Sequence, residues 1–156
     1  MQGRRQESPR RCEGEAGTAL VELALLLAPL CLLLFGIVVY GYLMSFRQNM
    51  TQAAGEGARA GAIAPPDSSP DTHVFAINQA TDATSKALQS FGEDCGNGRT
   101  TCLVAVDFCP APSTQKCVTV TVTYDYEHNP LMPDIPIVSG AIPSTFVSKS
   151  TAQINQ

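Results

Sequence analysis

The sequence has no Trp and only two His, His73 and His128. It contains no CxxC, HExxH, GxSxG, P-loop or dinucleotide-binding spacing. These absences remove the common ways a chain of this size holds a metal, cradles a phosphate or activates a nucleophile. No cofactor, no metal and no enzymatic reaction are therefore expected. Basic residues form neither a stripe nor a patch, which excludes a nucleic-acid partner. Glu93-Asp94 reads as a solvated turn rather than a catalytic acid pair. Asn49-Met50-Thr51 fits the glycosylation triplet but abuts an apolar run, and such triplets are common by chance.

Charge is missing where its absence matters most. Leu23 to Phe46 contains no Asp, Glu, Lys or Arg. As a helix these residues span about 36 Å at 1.5 Å per residue, more than the roughly 30 Å hydrocarbon core of a bilayer. Arg4, Arg5, Arg10 and Arg11 precede the run, and Arg47 and Arg59 follow it. That imbalance predicts a cytoplasmic N-terminus and an external C-terminal part. Membrane lipid is thus an expected partner. The chain divides by composition into a polar leader (1–17), a transmembrane helix (18–46), a juxtamembrane helix (47–64) and an extracytoplasmic domain (65–156).

Beyond the membrane run, Arg47–Ala62 has no proline and many small residues. Gly55, Gly57 and Gly61 either mark a close helix contact, since small residues let backbones approach, or a frayed end. A second helix is expected from about Asp71, as its cap, to Phe91, closed by Gly92. Its apolar positions are Val74, Ile77, Ala80, Ala87, Leu88 and Phe91. The stripe is thin, because Thr84 falls at its middle. After Gly92 the period drops to two. Val104, Val106 and Phe108 share one face of a strand, and Val118, Val120, Val122, Tyr124 and Tyr126 share one face of another. PAPSTQ links them, and a weaker strand follows from about Thr145 to Ile154. The fold class expected is α+β, with the second helix on the apolar face of a small antiparallel sheet.

Four of the six cysteines, Cys95, Cys102, Cys109 and Cys117, cluster in the external part, which reads as two disulfides. Cys102 and Cys109 flank the first strand, so they lie roughly 20 Å apart at about 3.3 Å per residue. A bridge needs Cα atoms within about 7 Å. That removes the nested pairing. In an antiparallel hairpin Cys117 lies by the loop and Cys102 at the far end, which removes the crossed one. Cys95–Cys102 and Cys109–Cys117 remain. Cys109 and Cys117 share the outward parity of that hairpin.

Three readings compete at the N-terminus. A removable signal peptide needs an apolar core of about 7–15 residues, and this one is far longer. A lipoprotein signal ending at Cys31 needs a small residue before the cysteine, and Leu30 stands there. A prepilin-type leader is cut before the apolar run, after a glycine. Cleavage after Gly17 would make Thr18 the first mature residue and Glu22 the fifth. This resembles the type IV pilin pattern, in which that glutamate pairs with the amine of a neighbouring subunit. Pairing offsets the cost of a carboxylate near hydrocarbon. The plainer account of Glu22 is an interfacial carboxylate favoured by the helix dipole.

The surrounding residues resemble the opening of TadE-like proteins, minor pilin-like components of tight-adherence (Flp) pili. The likeness rests on Ala19-Leu20-Val21-Glu22, Leu23-Ala24-Leu25, Pro29, Phe35-Gly36, Tyr40-Gly41, Gln52-Ala53-Ala54 and Glu56-Gly57-Ala58-Arg59-Ala60. Farther on, VTVTVTYDY followed by Asn129-Pro130-Leu131 resembles the family's strand-then-proline segment. The family usually has Phe after the glutamate, where Leu23 stands here, and the resemblance does not extend to the cysteine-bearing insert. The resemblance implies a single-pass protein of a bacterial cytoplasmic membrane or its pilus. It also implies a prepilin-type peptidase acting at Gly17-Thr18, an assembly role for Glu22, and pilin-like subunits and secretion machinery as partners. The alternative is a membrane-anchored extracellular binding module that never enters a filament.

Overall fold

The computed structural model describes residues 15–66, 73–132 and 142–154. The element order is α1 (Glu15–Ala62), α2 (Val74–Leu88), a single 3-10 turn (Gln89–Phe91), β1 (Thr100–Phe108), β2 (Lys116–Asp125) and β3 (Thr145–Gln153). This is the α+β arrangement that the two periodicities require. The chain divides into two compact units between Tyr42 and Leu43.

The first unit contains the apolar part of α1. Every residue from Gly17 to Leu30 is exposed, and Leu32, Leu33, Leu34, Phe35, Ile37 and Val38 are exposed as well. Pro29 lies inside the helix. Gly17 is helical too, so α1 starts earlier than the boundary between residues 17 and 18 suggested.

The second unit is built on a three-stranded antiparallel sheet in the order β1-β2-β3. β2 is central. Its alternating Val118, Val120, Val122 and Tyr124 are all buried, as strict period-two patterning dictates. Cys102 stands opposite Val122 and Asp107 opposite Cys117 across β1 and β2. On the other side Tyr124 stands opposite Phe146, and Val118 opposite Ala152. Tyr126, expected at the end of this face, lies just beyond β2 and donates its N–H to Ser144 O at 3.0 Å.

Leu43–Ala62 of α1 belongs to this unit, and Phe46 is its aromatic centre. Only 1 % exposed, it meets Tyr124, Phe91 and Phe146 edge-on with centroids 4.9, 5.7 and 6.3 Å away. Edge-to-face pairs of this kind add about 0.5–1.5 kcal/mol each beyond the area they bury. Met50, Ala53, Ala54 and Ala58 continue the buried stripe.

The glycines of this stretch resolve into two kinds. A Cβ on Gly57 would collide with Thr84 Oγ1 and lie 2.9 Å from Ala80 O. One on Gly61 would lie 2.9 Å from Val118 Cγ1 and 3.0 Å from Ala76 O. These two, four residues apart, form the seat into which α2 packs. Gly55 has only Ser150 Oγ at 4.0 Å and takes no part. The close-contact reading therefore holds for Gly57 and Gly61.

α2 is shorter than the expected Asp71–Phe91. Asp71 lies outside the described residues. His73 occupies the cap position with φ 45°, and its side chain makes no capping hydrogen bond. Gly92 closes the following turn in the left-handed conformation, φ 71°, as its lack of a Cβ permits. The buried line is Ala76, Ala80, Thr84 and Leu88, a strict four-residue repeat. Val74, expected on the stripe, is exposed. Thr84, the apparent gap, is its centre: it faces the backbone of Gly57 and donates its hydroxyl to Ala80 O at 2.7 Å. A small polar residue fits there because a larger one would push the helices apart.

Candidate functional site

The residues expected to direct processing and assembly all lie on α1. Gly17, Thr18 and Glu22 are exposed in the first unit, and nothing comes within 4 Å of a Cβ at Gly17. Thr18 and Glu22 are one helical turn apart, so their side chains share a face. Glu22 stands among exposed Leu20, Val21, Leu23, Leu25 and Leu26. A carboxylate in such a setting is costly in hydrocarbon. Tyr40 and Tyr42, at the far end, carry exposed phenols of the kind that settle at a membrane interface. The one helix long and apolar enough to cross a membrane, among the described residues, is this one.

The cysteines form a second arrangement. Cys95 is bonded to Cys102, with Cα atoms 5.3 Å apart, and Cys109 to Cys117, with Cα atoms 5.0 Å apart. This is the pairing that the hairpin geometry selects. β1 is thereby tied at both ends: to the turn before it, and across the loop to β2. Cys109 and Cys117 are both buried, so their parity does not expose them to solvent as expected. Cys31 is a free thiol in the first unit.

The turn held by Cys95–Cys102 corrects the reading of Glu93-Asp94. Asp94 is exposed, but Glu93 is only 3 % exposed. Its Oε2 accepts from Asn97 Nδ2 at 2.6 Å and from Thr100 Oγ1 at 2.9 Å, and Arg99 Nη2 lies 3.6 Å from Oε1. Asn97 Oδ1 in turn accepts the backbone N–H of Arg99 and of Thr100. Burying a carboxylate is tolerable when its lone pairs are met this way. Glu93 is the internal tie of the disulfide turn. Nothing in the sequence distinguished it from Asp94, because its partners come from a loop closed by a bond between cysteines seven residues apart.

The two histidines are apart. Lys116 Nζ lies 2.8 Å from His73 Nε2, and His128 Nδ1 lies 2.7 Å from Asp125 Oδ2. Among the described residues no three His, Cys, Asp or Glu side chains converge as a metal site would require. A cleft of about 450 Å³ lined by Arg99, Tyr124, His128 and Leu131 is open to solvent, and the Tyr124 hydroxyl there donates to Asn129 O at 2.8 Å. Asn49 is half-buried in α1 and donates Nδ2 to Ser90 Oγ at 2.7 Å, which commits the amide of the glycosylation triplet to a helix contact.

The described residues thus comprise a bare apolar helix, long enough to cross a membrane, followed by an α+β unit stapled by two disulfides. Residues 17–59 match the family model described as TadE-like protein. The match begins at Gly17, takes in Glu22 and ends between Gly57 and Gly61, so it covers both the bare and the packed part of α1. No curated protein and no solved structure matches the chain.

Proposed function

We propose that the protein is a pilin-like, single-pass membrane protein that takes part in assembling a tight-adherence (Flp-type) pilus or its secretion machine. The observation that carries this is the TadE-like match over residues 17–59, lying on a helix that leaves its large apolar side chains uncovered around Glu22. Uncovered leucines need lipid before assembly and other helices after it, and one surface serves both. In this reading a peptidase cuts between Gly17 and Thr18. The new amine of Thr18 then receives the Glu22 carboxylate of a neighbouring subunit. The second unit stays outside the cytoplasmic membrane, where its disulfides persist.

Replacing Gly17 by Leu should leave the leader attached, seen as an unshifted N-terminal sequence. Glu22→Ala and Glu22→Gln should be exported, folded and disulfide-bonded, yet excluded from pilus fractions. The amine would then lack its partner at a low-dielectric packing surface. Glu22→Asp, one methylene short, should retain part of the activity. Wild-type ratios of pilus-associated to membrane-resident protein for both the Ala and Gln variants would remove the assembly role and favour an anchored binding module. Protease added to intact or wall-stripped cells should digest the second unit. Protection of Tyr126 and of the residues C-terminal to it would reverse the topology.

A further inference from the structure

Among the described residues the sheet has two free edges, and they differ. In the β1–β2 ladder the odd-numbered residues face the partner strand, as Asp125 N to Arg99 O (3.0 Å) and Cys109 N to Gln115 O (2.8 Å) show just beyond each end. The N–H and C=O groups of Thr100, Cys102, Val104, Val106 and Phe108 therefore point to the open edge. At Thr100 they are used: its N–H donates to Asn97 Oδ1 and its carbonyl accepts from Gly96 N. Cys102 is tied to Cys95. Val104, Val106 and Phe108 have no backbone partner on this side among the described residues. Pro110 ends the window beyond Cys109.

This window lacks the features that keep an edge strand solitary. It has no proline, no lysine and no bulge, and its one charge is Asp107. Phe108, expected on the buried face, is 73 % exposed, and Leu103 is 65 % exposed. The β3 edge is blunted by Lys149, and Ser148 Oγ there donates to Thr51 Oγ1 of α1 at 3.1 Å.

We propose that β1 is a self-association edge, pairing antiparallel with β1 of a second copy of this chain. Pleat parity supports this occupant. Even-numbered β1 residues carry both the outward hydrogen-bonding groups and the core-facing side chains. Two β1 edges therefore join antiparallel with both cores on the same side. On β3 the outward groups belong to odd residues, whose side chains face away from the core, so an antiparallel β1–β3 junction would invert one sheet. A two-fold pairing is also self-complementary, the commonest geometry of homo-oligomers.

The window fixes the register. Centring the two-fold on Val106 keeps every new bond clear of the Cys95–Cys102 turn and uses all three of Val104, Val106 and Phe108, whereas centring it on Asp107 would set the two Asp107 side chains against each other. Phe108 then lies opposite the partner's Val104, an aromatic and β-branched pair that covers the exposed ring. Asp107 lies opposite the partner's Ala105, and no like charges face each other.

The test uses the full chain in detergent and reads its dimer fraction and the site of a photocrosslink. A photoreactive phenylalanine at position 108 should crosslink to residues 102–106 of another copy. Ala105 is exposed, so its substitution spares the fold. Ala105→Asp sets a carboxylate against the partner's Asp107 twice per dimer and should lower the dimer fraction, whereas Ala105→Lys should raise it. Val106→Pro removes an outward donor and should abolish the crosslink. Non-reducing peptide maps establish that each variant keeps both disulfides. A crosslink to β3, to α1 or to another protein would overturn the proposal, as would an equal dimer fraction in the Asp and Lys variants. Glu22→Ala should leave this dimer intact, which separates its failure from failure of the pilus reading.

Discussion

Two stretches of one helix, Leu20–Tyr42 and Leu43–Ala62, follow the same 3.6-residue geometry and present opposite surfaces. The first carries bulky side chains all round, and nearly all of them are exposed, with only Cys31 and Val39 half-buried. The second carries one stripe of buried residues in which size falls from Phe46 and Met50 to Ala53, Ala54, Gly57, Ala58 and Gly61. An all-round apolar surface suits lipid, which makes no demand on shape. A tapering stripe suits a fixed protein neighbour, because close-packed interiors respond to single methyl groups. Apolar content marks the first stretch, and the gradation of side-chain size marks the second.

The largest test of this contrast compares two phenylalanines. Phe46→Ala removes a ring held between Tyr124, Phe91 and Phe146 and should cost about 3–5 kcal/mol. Phe35→Ala, on the bare stretch, should change the stability of the second unit by less than about 0.5 kcal/mol. Denaturant unfolding of the full chain in detergent, followed by near-ultraviolet circular dichroism, measures both. Equal losses would mean that the bare stretch also supports the fold.

Next in size are the disulfides. Cys109 and Cys117 are separated by 8 positions in the sequence. A loop of that size contributes roughly 2–3 kcal/mol by restricting the unfolded chain. The double change Cys109→Ser, Cys117→Ser should lower stability by at least this much, because both positions are buried and the new hydroxyls need partners. The double change at Cys95 and Cys102 should cost a similar amount and also loosen the turn around Glu93. A faster loss of amide protection at Thr100 than in β3 would report that.

How far the fold was legible follows the same division. Strict alternation in β2 revealed its buried face because its valines are all core residues with no competing role. The length of the uncharged run revealed the bare helix, and hairpin distances revealed the cysteine pairing. The interior of α2 was harder to read. An Ala-Ala-Thr-Leu line carries little hydrophobic signal, and its meaning depends on the absent side chains of Gly57 and Gly61, which approach from a segment some twenty residues nearer the N-terminus. Phe108 misled in the other direction, since parity placed it on the core face while the strand ran past the helices that cover that face. Glu93 was invisible for a related reason: its partners, Asn97 and Thr100, are chosen by a turn that only the closed disulfide defines.

Glycines give the third test. Gly57→Ala should destabilise by about 1–3 kcal/mol, because the new methyl meets the Ala80 carbonyl as well as a movable hydroxyl. Gly41→Ala, with nothing within 4 Å, should be neutral or slightly favourable to the helix. A stabilising Gly57→Ala would show that α2 can withdraw without loss.

The smallest effect expected is at Thr84, which decides whether shape or hydrogen bonding holds α2 against α1. Its hydroxyl donates to Ala80 O at 2.7 Å. That carbonyl is also the acceptor for the helical N–H of residue 84, four positions on. Thr84→Val therefore removes a donor without leaving the carbonyl unpaired, and the asymmetry that makes lost buried hydrogen bonds expensive does not apply. Valine keeps the branched outline, and the gain from burying a methyl offsets the lost bond, so the net change should be under about 1 kcal/mol. Thr84→Ser keeps the hydroxyl and deletes the methyl from a fully buried site, so it should cost as much or more. Unfolding midpoints of the two variants settle the order. A loss above about 2 kcal/mol for Val with none for Ser would mean that the hydroxyl, rather than the fit against Gly57, sets the spacing of the two helices.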